Sequence, residues 1–189
     1  MNLQPDVLAE CLLIPVRRAE LWAPAMARAM AYADISTPTR AAYWLGQIGH
    51  ETGRLRYVRE IWGPTRQQLR YEPGTPLAAR LGNVRRGDGA RYMGRGLIQV
   101  TGRANYAGLT GRLRKSIGES VPDFEAAPRL LESPEWAALS AADYWRSRSL
   151  NRFADAADIV TLTRRINGGT NGLADRIALT DRALSILGA

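Results

Sequence analysis

The chain has 189 residues, enough for one domain with a real hydrophobic core, and 46% apolar with 23% charged residues exclude a disordered chain. Cys11 is the only cysteine and His50 the only histidine, which excludes an intramolecular disulfide, a thiolate metal site and a histidine-built zinc site. The net charge of +8 is uneven: Met1 to Gly53 carries −1, Arg54 to Lys115 carries +11 and Ser116 to Ala189 carries −2. A central segment of that kind should attract polyanions such as nucleic acid, anionic lipid or an acidic cell wall, or simply form a solvated basic surface.

The predicted elements are mainly α-helical. Met1 to Glu10 carries Asp6 and Glu10 and lacks a basic run followed by an apolar one, so no secretory signal is expected there. Val7 to Ile14 reads as a short helix and Arg17 to Tyr32 as a second, with Leu21, Ala25, Met26, Ala29 and Met30 inward and Pro24 kinking it or delaying its start. Thr37-Pro38 is a start signal, a hydroxyl cap followed by proline at the first helical position. The helix it opens runs through Tyr43, Trp44 and Ile48 to Glu51, with Gly53 placed to end it. Thr52 to Pro64 reads as a loop. Thr75-Pro76 and Ser133-Pro134 repeat the start signal, the second opening an alanine-rich helix through Trp136 and Trp145. Gly82 to Gly102, rich in Gly and Arg, leaves room for a small β-hairpin. Gly168-Gly169 breaks the chain before a closing helix, Asp175 to Leu187, with Ile177, Leu184 and Leu187 inward. No repeat or linker divides the chain, so residues 1–189 are expected to form a single domain, its glycine-containing loops meeting at a cleft. No run approaches the roughly 18–20 apolar residues of a membrane span, so no membrane insertion is expected.

Two carboxylates stand out. Glu51, at the end of an apolar helix, is expected to be partly desolvated, a setting that favours the proton-carrying form of an acid catalyst. Glu60 lies nine residues on, among Arg54, Arg56 and Arg59, whose guanidinium groups are expected to hold it ionised as a base. Carboxyls in opposite settings suit glycoside hydrolysis, and a loop between them that sets them well apart favours inversion. The spacing is equally that of two surface glutamates in salt bridges. Gly94-Arg95-Gly96 is not a dinucleotide fingerprint and no P-loop occurs. Thr101-Gly102 reads as a helix cap, Asn105 and Asn167 as turn residues, and His50 as a packed, hydrogen-bonded histidine.

Taken together, the blocks Gln47-Ile48-Gly49-His50-Glu51-Thr52-Gly53, Glu60, Tyr92 to Thr101, Asn105-Tyr106, Ile166-Asn167-Gly168-Gly169 and Ala174-Asp175-Arg176-Ile177 resemble glycoside hydrolase family 19, in that family's order. Arg59 to Thr65, Leu81-Gly82-Asn83 and Asn171-Gly172-Leu173 resemble its bacteriophage endolysin branch. The resemblance implies an inverting enzyme on a lysozyme-like helical scaffold, with no cofactor and no metal. It puts Glu51 at the general acid, Glu60 at the general base and Thr101 at the residue that positions the attacking water. It puts Gln99, Asn105 and Asn167 at sugar-binding positions, Tyr92 at an aromatic beside the sugar, and Arg176 at an arginine that tunes the acid. Two departures stand out. Thr170-Asn171 follows the glycine pair where plant enzymes carry a glutamate, and Ala104 precedes Asn105 where they carry a tyrosine.

Chitin is uncharged and gains nothing from the basic segment, whereas peptidoglycan carries free carboxylates. The expected substrate is therefore the peptidoglycan glycan chain, with chitin as the alternative. A non-catalytic polyanion binder is the reading from another class. The protein is expected to act as a monomer without a specific nucleic-acid partner. It is expected to be made in a host cytoplasm and to reach periplasmic peptidoglycan once the membrane is permeabilised.

Overall fold

The computed structural model describes Leu3 to Gly188 and is mainly helical. Its helices are α1 (Pro5–Leu12), α2 (Val16–Tyr32), α3 (Pro38–Glu51), α4 (Arg66–Leu69), α5 (Pro76–Leu81), α6 (Asp88–Arg91), α7 (Arg103–Ile117), α8 (Pro134–Ser147), α9 (Asn151–Asp155), α10 (Ile159–Asn167) and α11 (Leu173–Leu187). A 3-10 turn, Pro128–Glu132, leads into α8. The threonine-proline start signals act as expected: Thr37 accepts from Arg40 N at 3.2 Å and Thr75 from Ala78 N at 3.0 Å. Ser133 also precedes a helix, but its hydroxyl donates back to Leu130 O at 2.9 Å instead of capping α8.

Three expectations are corrected. The helix α2 runs through Pro24, because the residues on both sides of it, Trp22, Ala23, Ala25 and Met26, are buried and packing offsets the missing N–H. Leu21 does not face inward and is 62% exposed; Trp22 takes that place, one position on in the helical period. The hairpin considered for Gly82 to Gly102 reduces to one reciprocal pair, Arg95 N to Val100 O at 3.0 Å and Val100 N to Arg95 O at 2.7 Å. Six glycines and the short α6 in that stretch leave no run long enough for a strand.

Two hydrophobic cores follow from the helix order. The larger is built on α3, which is buried along most of its length and packs most extensively against α11, with α1, α2 and α8 completing the body. Trp44 and Trp145 meet there edge to face, with ring centroids 5.3 Å apart. The smaller core joins Tyr92, Tyr106, Leu109, Leu113, Val121, Phe124, Leu131 and Leu139, and Tyr32 packs against both. The sequence reading did not single out α7. Its inward residues Tyr106, Leu109 and Leu113 are interspersed with Gly108 and Gly111, which blur the helical period.

The pairing of α3 with α11 depends on small residues. A methyl group on Gly46 would collide with Thr180 Oγ1 and come within 3.0 Å of Arg176 O and 3.1 Å of Thr180 N. On Gly49 it would come within 2.9 Å of Leu12 and 3.0 Å of Leu179. The stripe that α11 turns to α3 is accordingly Arg176, Leu179, Thr180 and Ala183, while Ile177, Leu184 and Leu187 are only half-buried beside it. We predict that Gly46→Ala lowers stability by about 1–3 kcal/mol in denaturant unfolding, because backbone atoms of α11 must give way. Gly111→Ala, in open space on α7, should instead raise stability by about 0.5–1 kcal/mol.

Candidate active site

Glu51 is the last residue of α3, and the partner helix delivers a cation to it. Arg176, fully buried, donates from Nη2 to Glu51 Oε1 at 2.5 Å, from Nη1 to Gln47 Oε1 at 2.6 Å and from Nε to Asn171 O at 3.2 Å. Gln47 lies one turn before Glu51 on the same face and is itself held by Thr163, its Nε2 donating to Oγ1 at 3.2 Å. Three of the guanidinium's donors are thus used inside the protein, and its orientation is set before any substrate arrives. Glu51 Oε2 has no hydrogen-bond partner among the described residues, and the side chain is 19% exposed.

His50, the neighbouring residue, points to a structural partner. Its Nδ1 lies 2.7 Å from Asp175 Oδ2, while Arg54 Nη2 donates to Asp175 Oδ1 at 2.9 Å. Burial alone would raise the Asp175 carboxyl, but His50 and Arg54 outweigh it and hold the group below its ordinary range. The imidazole fills the space over Gly172, where any side chain would collide with it. This cluster fastens the start of α11 to the end of α3.

Glu60 is held differently from expectation. No arginine contacts it: Arg54 pairs with Asp175, Arg56 lies over the Tyr57 ring at 5.1 Å, and Arg59 reaches Glu132 at 3.7 Å. Glu60 is instead gripped by uncharged donors. Gln68 Nε2 donates to Oε1 at 3.0 Å, Gly94 N to Oε2 at 3.1 Å and Tyr71 OH to Oε1 at 3.5 Å. Gln68 was absent from the sequence reading, although Thr65-x-x-Gln68 is a capping-box signature and the box forms. Its Oε1 accepts from Thr65 N at 2.8 Å while its amide serves Glu60. Burial raises the Tyr71 phenol, and the charge and hydrogen bond of Glu60 raise it further, keeping it a donor.

Gly94 joins Glu60 to the other predicted residues. A side chain there would strike Gln99 Oε1 and lie 3.2 Å from Thr101 Oγ1, so both groups sit directly over the glycine whose N–H holds Glu60. Thr101 does not cap α7; its hydroxyl donates to Gln99 O at 3.2 Å. Gln99, at φ +42°, donates to Gly96 O at 3.3 Å, and Asn105 donates to Thr101 O at 2.7 Å. Gln99, Thr101 and Asn105 line one cavity of about 220 Å³, whose facing wall holds Tyr144 and Arg148. Burial raises the Tyr144 phenol, Arg148 opposes this and the charge of Glu51 adds to it. Asn167 ends α10 and is exposed, outside this cavity's lining.

Tyr92 lies in the smaller core, outside this cavity's lining. It is 1% exposed, its hydroxyl donates to Glu125 O at 3.1 Å, and its ring meets Tyr106 at 5.4 Å with Arg103 over it at 4.7 Å. Its hydrophobic ring is worth more in the smaller core than in the cleft.

Folding also redistributes the basic excess. Arg95 and Arg59 meet Glu132, Arg103 meets Asp88 and Glu125, Arg112 meets Asp143, and Arg54 meets Asp175. Acids after residue 115 therefore neutralise much of the central segment. The remaining basic surface is carried by exposed residues such as Arg56, Arg66, Arg70, Arg80, Arg85 and Arg86.

A helical body with one carboxylate on a buried arginine, and a loop lobe holding a second among neutral donors, has the two unlike carboxyls that glycoside hydrolysis uses. The comparisons identify the family. A glycosyl hydrolase family 19 domain-containing protein of Haemophilus influenzae is 34% identical over 168 residues, covering 77% of this chain and 78% of that protein. No protein-family model matches the chain. Chitinase C of Streptomyces griseus HUT6037 has a similar fold, with a TM-score of 0.72 and 22% identity over 99% of this chain and 77% of its own. A mutant of chitinase C gives 0.73 at the same identity and coverage. The chain belongs to glycoside hydrolase family 19. The non-catalytic polyanion binder is thereby set aside.

Two measurements probe this framework. Arg176→Met should cost roughly 3–5 kcal/mol in denaturant unfolding, since it strips the cation from a partly buried carboxylate and leaves Gln47 unpaired. Asp88, bound to Arg103 at 2.6 Å, sits at about 2 against an ordinary 3.8, because Arg103 and the N–H groups of Val84 and Arg85 outweigh burial. A depressed carboxyl contributes its full stability above the ordinary value and loses it as pH falls through the folded one. Wild type should therefore lose about 2 kcal/mol between pH 5 and pH 2 that Asp88→Asn, already less stable, does not lose.

Proposed function

We propose that the enzyme cuts the glycan chain of bacterial peptidoglycan with inversion, using Glu51 as acid and Glu60 as base. The observation that carries this is the linkage through Gly94, which puts the Thr101 hydroxyl and the Gln99 amide over the glycine that anchors Glu60. Glu60 takes a proton from a water that Thr101 orients, and that water attacks the anomeric carbon. Glu51 gives its proton to the departing glycosidic oxygen as the bond breaks. Each carboxyl then holds the opposite protonation state, and exchange with solvent resets the pair. Arg176 stays on Glu51 Oε1 throughout and steadies the carboxylate that forms.

Peptidoglycan is preferred to chitin because the enzyme keeps a surplus of exposed arginines, and only peptidoglycan offers carboxylates to them. The phage-endolysin likeness of Arg59 to Thr65 and Leu81 to Asn83 supports the same choice. On this reading the enzyme acts as a monomer on the wall beneath a permeabilised membrane.

Glu51→Gln should abolish lysis of outer-membrane-permeabilised Gram-negative cells while the circular dichroism spectrum stays near wild type, with a lower unfolding midpoint because Arg176 loses its carboxylate. Lysis by that variant, through charge alone, would remove Glu51 from the mechanism. Glu60→Gln should reduce turnover by roughly 10²–10⁴-fold, the usual worth of a positioned base. Mass spectrometry of digested muropeptides should find reducing-end muramic acid. A 1,6-anhydro product or turnover of colloidal chitin alone would overturn the proposal.

A further inference from the structure

The cavity that Gln99 and Thr101 line, next to the glycine that holds Glu60, has walls of different chemistry. One presents the uncharged groups of Gln99, Thr101 and Asn105, suited to hydroxyls and acetamido groups. The other, from α8 and its end, presents Tyr144 and Arg148, with Arg112 of α7 nearby. The only acid in the lining is Asp143, and it is spent: its side chain is 5% exposed, Arg112 Nε donates to Oδ2 at 2.8 Å and Tyr32 OH to Oδ1 at 3.3 Å. Arg148 has no carboxylate partner among the described residues. Its guanidinium rests 3.7 Å above the centre of the Tyr144 ring and makes one hydrogen bond, to Ser147 Oγ at 3.3 Å. Tyr144 is fixed in turn, its hydroxyl donating to Arg165 O at 2.8 Å.

A cation packed on a ring that is itself anchored loses little freedom on binding, and its donors lie in a plane that matches a carboxylate. We propose that Arg148, supported by Tyr144, is a carboxylate-reading subsite of this cavity. The group it takes is a carboxylate borne on the glycan, as on the lactyl-peptide arm of a muramic acid unit. This rests on peptidoglycan being the substrate and says which part of the cleft distinguishes it from a neutral polymer. Arg148 touches none of the reacting atoms and acts through binding, so its signature is in KM.

The test compares full-length wild type, Arg148→Ala and Arg148→Lys on native peptidoglycan and on the same material with its carboxylates amidated. Wild type should favour the native polymer by about ten-fold in kcat/KM, the worth of one charge-assisted contact. Arg148→Ala should shrink that ratio to near one, through a raised KM with kcat largely kept, and Arg148→Lys should restore part of it. Equal losses on both substrates would mark Arg148 as structural only and overturn the subsite. Turnover of both polymers at the same rate by wild type would overturn it as well while leaving peptidoglycan as the substrate. Wild type that cleaves chitin oligomers but neither form of peptidoglycan would overturn the substrate reading and the subsite together.

Discussion

The approach of α11 to α3 is the contact on which the rest of the site depends. Gly46 and Gly49 remove side chains from the face that α11 covers, so Thr180, Leu179 and the backbone of Arg176 come against the helix itself. At that separation the buried guanidinium reaches Gln47 and Glu51 together. A wider gap would leave a charge buried without its partners, which costs several kcal/mol. Helix packing and the ionic arrangement at Glu51 are therefore one constraint, and the His50–Asp175–Arg54 cluster fastens the same joint from its other side.

The two glutamates differ in how they are held. Glu51 is bound by a charged donor in a body of packed helices, and Glu60 by neutral donors in a lobe of short helices and turns. A single chain can place two carboxyls in such unlike surroundings because one sits between packed helices and the other in a loop whose donors come from Gln68, Tyr71 and Gly94. Differing surroundings are what allow one fold to run acid and base chemistry at the same pH.

Much of the lobe that carries Glu60 is organised by arginines that point inward. Arg95 is nearly buried, binding Glu132, Arg91 O and Tyr106, and Arg103 clamps Asp88 and Glu125 while covering Tyr92. Planar guanidinium groups with several donors can bridge turns that have little apolar surface of their own. The price is a smaller external field than the count of basic residues suggests. What remains cationic at the cavity is local, on Arg148, and local charge can discriminate between ligands where a diffuse one only attracts them.

The helical class, the threonine-proline starts of α3 and α5, and Glu51 at a helix end were legible in the sequence, because caps and helical periods are short-range properties. The pairing of Gln47 with Glu51 on one face was legible in principle, since residues four apart share a helix face. The partners of Glu60 were not, because its sequence neighbours are arginines while its donors come from Gln68, Tyr71 and Gly94. The burial of Tyr92 and the pairing of the arginines with Glu125, Glu132, Asp143 and Asp175 were equally beyond reach. The arginine–acid contacts join residues about 20 to 120 positions apart, and local propensity carries no information about which distant acid will meet a given arginine. Residue type and spacing named the candidate groups, and tertiary packing decided which of them share a cavity, Gln99, Thr101 and Asn105, and which, like Tyr92, are buried in a core.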